Sequence, residues 1–126
     1  MSNWYKLAKK ELKLDKLWEA INKLKIPEKH AHNTHIGKLD EVDIYLVDAD
    51  VVKKKHFMDF VEGGHDIVYR FIPCNQIWID YNISSRPIHH IIYHEFIERT
   101  LMKYNKMDYE KAMELENTGK DNQEKD

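Results

Sequence analysis

Pro87-Ile88-His89-His90-Ile91-Ile92-Tyr93-His94-Glu95-Phe96-Ile97-Glu98-Arg99-Thr100-Leu101-Met102-Lys103-Tyr104 is the stretch on which the fold of this chain turns. Set on a helix at about 100° per residue, its apolar members Ile88, Ile91, Ile92, Tyr93, Phe96, Ile97, Leu101, Met102 and Tyr104 surround most of the circle instead of forming one stripe. A helix apolar on nearly all sides belongs in the centre of a fold. Ser84 or Ser85 suits its N-cap, Pro87 suits an early helical position, and the helix is expected to run to about Tyr104 and stop near Asn105. Its polar residues become the informative ones, because an ionised group in a core is costly unless it is paired or bound to a metal.

Outward from this helix, Asn3 to Lys25 keeps Trp4, Leu7, Leu14, Leu17, Trp18, Ile21 and Leu24 at helical spacing and predicts one amphipathic helix ended by Pro27. Its stripe docks on the core or on a partner; acids interrupt the basic face that a membrane-surface helix would need. Val42 to Val52 predicts one or two strands around an Asp48-Ala49-Asp50 turn, with Lys53-Lys54-Lys55 as a solvated edge. Gly63-Gly64 predicts a hairpin-type turn, with strands over Ile67–Ile72 and Ile77–Tyr81. A second helix is expected from Asp108, carrying Tyr109, Ala112, Met113 and Leu115. Helices around three or four short strands make an α+β class, with residues 1–116 as one domain and 117–126 as a charged, fraying tail.

The 126 residues suffice for one hydrophobic core, and 42% hydrophobic content excludes disorder across the chain. With 20 basic against 22 acidic side chains, the balance disfavours a nucleic-acid binder. Cys74, a single cysteine, excludes an internal disulfide framework and a cysteine-built zinc site. The absence of a membrane-spanning apolar run and of a secretory signal leads to the expectation of a cytoplasmic address and no membrane partner.

His94-Glu95-Phe96-Ile97-Glu98 reads H-E-x-x-E, a relative of the H-E-x-x-H zinc signature with glutamate in the second ligand place. The i, i+4 spacing brings an imidazole nitrogen and a carboxylate oxygen to one point beside the helix, where a cation needs ligands at about 2.0–2.2 Å. Glu95 then falls where such sites keep the general base that activates a metal-bound water against a carbonyl. His90 shares the sector, but i to i+8 spans about 12 Å, so one ion cannot take 90, 94 and 98 together. His94 with Glu98 is the favoured pair and His90 a weaker candidate. The competing reading pairs Glu95 and Glu98 with Arg99, Lys103 or other bases and hydrogen-bonds the histidines internally.

A third ligand has to come from elsewhere. His65 is the best outside candidate, because the Gly63-Gly64 pair lets the backbone approach another element closely. Glu110, Glu114 and Glu116 of the expected last helix are acidic alternatives, each also readable as a solvated charge. His30-Ala31-His32-Asn33-Thr34-His35, closed by Gly37, reads as a histidine-rich loop; it offers donors for a transition metal but no fixed geometry.

Phe60-Val61-Glu62-Gly63-Gly64-His65, Ile77-Trp78-Ile79-Asp80, His94-Glu95 to Glu98-Arg99 and Leu101-Met102, in that order, resemble a group of small uncharacterised proteins of bacteria and their phages. That group is marked by a G-G-H turn, an E-I-W-I-D strand, an L-H-E-L-x-E-R helix and a final A-H-x-x-A helix. The resemblance covers roughly Val47 to Glu116. It implies an α+β fold akin to minimal zincin peptidases and supports His65, His94, Glu95 and Glu98 as one constellation. The chain departs from the pattern at Gln76, where an acid is expected, and at Met113, where a histidine is expected. A thioether is a poor zinc ligand, so Glu114 would have to substitute or the site would be weakened.

The expectation is therefore a metal-dependent hydrolase, most simply a minimal zincin-like peptidase holding zinc or another divalent transition metal. His94, Glu98 and His65 bind the ion, Glu95 activates water, and Arg99 steadies a carboxylate ligand from outside. An edge strand, Ile77–Tyr81, would hold a peptide or protein substrate by strand addition. The alternative is a non-enzymatic phage- or mobile-element-related domain with a structural metal site or a buried polar network at the same residues, meeting a protein partner through its N-terminal helix.

Overall fold

The structure, a computed structural model, describes residues 3–29, 31–56, 58–82 and 87–117, with 108–117 described for their backbone alone. Helices α1 (Trp4–Leu12) and α2 (Leu14–Asn22) come first, followed by strands β1 (Thr34–Leu39) and β2 (Val42–Val47). Helix α3 (Ala49–His56), strands β3 (Gly63–His65) and β4 (Gln76–Asp80), and the long helix α4 (Ile88–Asn117) complete the α+β arrangement. The mixed four-stranded sheet has the order β1-β2-β4-β3, parallel between β2 and β4 and antiparallel elsewhere.

Ile77 and Ile79 alternate with Trp78 along β4, and all three are buried, as a strand with neighbours on both sides and cover on both faces requires. Ile77 and Ile79 join Ile44 and Leu46 of β2 in a core with Ile91, Ile92 and Phe96 of α4. Trp78 belongs to a second cluster with Val47, Val52, Phe60 and Ile72. α4 packs against α1, α2, β3 and β4. Its buried arc runs through Ile91, Ile92, Glu95, Phe96, Arg99 and Thr100, its flanks Ile97 and Leu101 are half-buried, and the strip through His90, His94 and Met102 meets solvent.

Several local expectations are corrected. The N-terminal helix breaks at Lys13, which takes the left-handed region at φ 40°. Two helix segments then seat Ala8 with Leu12 and Leu17 with Ile21, leaving Leu7 and Leu14 exposed. Val51 and Val52 are helical rather than extended: Asp48 accepts a hydrogen bond from the Asp50 N–H at its Oδ1 (2.9 Å) and caps α3, while Lys53, Lys54 and Lys55 lie in the last turn, where cations suit the helix dipole. Gly63 and Gly64 are strand residues, and Ile67–Ile72 forms turns whose Tyr69 and Phe71 rings pack at tilted angles among Phe60 and Trp78. The histidine loop beyond Asn33 is β1, paired with β2. No break separates Tyr104 from Asp108, because no proline or glycine interrupts the segment and Asn105 costs a helix well under about 1 kcal/mol. His30, Ser84, Ser85 and the tail from residue 118 lie outside the described residues.

Candidate metal centre

Gly63 and Gly64 set where the centre can form. A Cβ on Gly64 would come within 2.4 Å of the Tyr69 ring, and one on Gly63 would stand 3.0 Å from the Trp78 carbonyl oxygen and 3.3 Å from Ile91. Two missing side chains therefore let β3 lie tightly between Tyr69 and α4, and the next residue, His65, is wholly buried against the helix. His65 Nε2 lies 3.0 Å from Glu98 Oε1. A carboxylate only accepts, so the imidazole donates from Nε2. Nδ1 is then left bare, and it has no hydrogen-bond partner in its buried position. Burial pulls the His65 pKa below its ordinary value, outweighing the opposite pull of Glu98 and Asp66, and Arg99 lowers it further. The side chain is thus neutral near pH 7, the form in which imidazole ligates metals.

On the helix wheel Glu98 stands between His94 on one side and Glu95 on the other, about 40° and 60° away. β3 and the sheet lie toward Glu95, and solvent lies toward His94. Among the described residues, His65, Glu95 and Glu98 form a group whose ligand atoms all fall within 4.8 Å of one another. Glu95 is only 9% exposed. His94 stays outside this group: its side chain is 57% exposed, and its Nε2 lies 3.9 Å from Glu98 Oε2. Each oxygen of Glu98 thus faces an imidazole, one buried and one at the surface.

The donor chemistry fits a divalent ion. Donors bonded at about 2.0–2.1 Å in a tetrahedron stand roughly 3.3 Å apart, close to the separation already present between His65 and Glu98. One neutral imidazole with carboxylates suits zinc, manganese or iron.

The other expected residues fall elsewhere. Arg99 does not reach Glu95 or Glu98; its Nε donates to Asp66 Oδ1 (2.6 Å), and its terminal nitrogen donates to Asn75 Oδ1 (2.8 Å). Burial raises the Asp66 pKa, but the hydrogen bonds from Arg99 and the Asn75 N–H, with the guanidinium charge, bring it below the ordinary value overall. Arg99 therefore fixes the residue after His65 rather than a ligand. Gln76 accepts from Trp78 Nε1 (2.9 Å) and pins that ring. His90 stacks on Trp18. His35 bonds Asp43, and His32 accepts from the Asp48 N–H. Because α4 is unbroken, the backbone of Glu114 is about 24 Å along the axis from Glu98, which removes it, and with it position 113, from this centre. β4 is interior to the sheet and cannot add a strand; β3 forms the edge beside the centre, but its three residues are buried.

Tyr69 escaped the sequence reading. Its ring packs over Gly64, and its pKa is raised by burial and then by the charges of Glu95, Asp59 and Glu98. A clear hairpin spacing would have exposed it, but residues 66–72 carry strand-like composition in a turn. Two clefts of about 390 Å³ open along α1 and the β1–β2 turn; their linings include neither His65 nor Glu95 nor Glu98, so convergence of donors, not hollow volume, marks the site. Comparison with protein-family models, curated proteins and solved structures gave no match.

Proposed function

We propose that this chain is a divalent-metal-dependent hydrolase, most simply of peptide bonds. The observation that carries the reading is the convergence of His65, Glu95 and Glu98 within 4.8 Å at the junction of β3 and α4. His65 and Glu98 would hold the ion, and His94, an exposed side chain able to change rotamer within nanoseconds, would supply the third ligand. Zinc or a similar ion, when bound, supplies a Lewis acid and lowers the pKa of adjacent water. Glu95, in the same cluster, would serve as the general base that accepts a proton from water. Arg99 keeps Asp66, and through it His65, in place.

Elemental analysis of protein purified without a histidine tag, followed by peptide hydrolysis, tests this. About one equivalent of metal is expected. His65→Ala and His94→Ala should lose it, whereas Glu95→Gln should keep the metal and lower hydrolysis by about 100-fold or more. Loss of metal in Glu95→Gln with retention in His94→Ala would instead make Glu95 the third ligand.

A second reading has its own support. The His65–Glu98 hydrogen bond and the Arg99–Asp66–Asn75 network are each made by protein groups alone. In that reading the cluster is a structural polar network in a binding domain, and the purified protein takes up no metal.

A further inference from the structure

The turn that follows β3 and the helix α4 wall a cleft. Ile67 follows His65 by two residues, and Met102 follows Glu98 by one helical turn; with Asn105 and Lys106 they line a cavity of about 380 Å³. Met102, and Val68 next to Ile67 in the chain, are exposed apolar side chains that neither core cluster uses. Along α4 the order from the centre is Glu98, then Met102 about 6 Å on, then Lys106 about 12 Å on. The cleft thus lies one to two helical turns beyond Glu98 and offers an apolar wall and a cation.

We propose that this cleft binds the carboxyl-terminal end of a peptide, an apolar side chain lying between Ile67 and Met102 and the terminal carboxylate reaching Lys106. The proposal rests on the hydrolase reading and specifies its substrate. An extended residue covers about 3.3–3.6 Å, so 12 Å leaves two or three residues between a bond at the centre and the carboxylate. Methionine, unbranched and polarizable, adapts to leucine, methionine or aromatic side chains alike. Asn105, beside Lys106, offers an amide to the last peptide carbonyl.

The test uses the full chain with labelled methionine and isoleucine methyl groups, titrated with N-acetyl-leucine, N-acetyl-glycine and N-acetyl-leucinamide. The expected result is a shift of the Met102 and Ile67 methyl signals with N-acetyl-leucine. Affinity should be at least tenfold above that for N-acetyl-glycine, the scale set by an apolar side chain in its pocket. Lys106→Gln should erase the preference for the free acid over the amide, and Met102→Ser should erase the preference for leucine. Equal binding of the three compounds, or shifts confined to other methyl groups, overturns the proposal. The titration is run with zinc and with a chelator. Absence of zinc uptake defeats the hydrolase reading, while the methyl shifts report on the cleft in either state.

Discussion

Arg99 sits one position beyond Glu98, yet its guanidinium crosses to Asp66 and Asn75 instead of joining the glutamates. Both partners of the Arg99–Asp66 pair are nearly buried, so neither charge is well served by water once the other is removed. Arg99→Met should therefore cost about 3 kcal/mol in urea denaturation, and Asp66→Asn added to it should restore part of that loss. A fully additive double variant would show that the pair contributes nothing. His65 adds a second residue-level constraint. A metal ion on Nε2 would force the ring proton onto Nδ1, which has no acceptor, and a ligating histidine without such support binds metal about 10- to 100-fold more weakly. Helix spacing made the relation of Glu95 and Glu98 legible, and the glycine pair pointed to His65. The outward turn of His94 was not legible, because period alone gives the angle between side chains but not which of them faces the sheet.

Elements show the same division. The all-round apolar character of α4 made its central place readable, and β4 announced itself through Ile77-Trp78-Ile79. α3 was hidden because two valines suggest a strand, whereas its helical signals, Asp48 as cap and lysines at the end, depend on position rather than composition. The break at Lys13 has no sequence mark at all; it exists because α1 and α2 each pack on α4. A left-handed backbone costs a lysine roughly 1 kcal/mol that glycine does not incur, so Lys13→Gly should stabilise the protein by up to about 1 kcal/mol. A lower denaturation midpoint would count against the break. On α2, Trp18 stacks on His90 and meets Tyr93 edge-on, each at 5.1 Å between ring centres. Because Trp18 is only partly buried, Trp18→Ala should cost roughly 2 kcal/mol, less than a fully buried tryptophan would. An unchanged midpoint would detach α2 from α4.

At the scale of the whole molecule, the centre joins elements far apart in sequence: β3 reaches the helix only through residues 63–65, and α4 covers the sheet from one side. Among the described residues no helix is long and apolar enough to cross a membrane. A ligand that bridges His65 and Glu98 therefore ties the sheet edge to the helix, and it can do so only when both are folded. Binding confined to the folded state stabilises by RT ln(1 + [L]/Kd), about 2.7 kcal/mol at a hundredfold excess over Kd. In a chain of this size that corresponds to a rise of about 10 °C in Tm. The expected outcome is that zinc raises Tm by this order, that a chelator reverses the rise, and that His65→Ala and Glu98→Ala abolish it. Lys13→Gly, remote from the centre, should shift the baseline and keep the zinc response. Equal rises in His65→Ala and the unaltered protein would place the metal elsewhere, for instance on the surface histidines His32 and His35. No rise in any of them would leave the His65–Glu98 contact as a polar clamp between strand and helix, and His65→Ala would then lower Tm with zinc or without it.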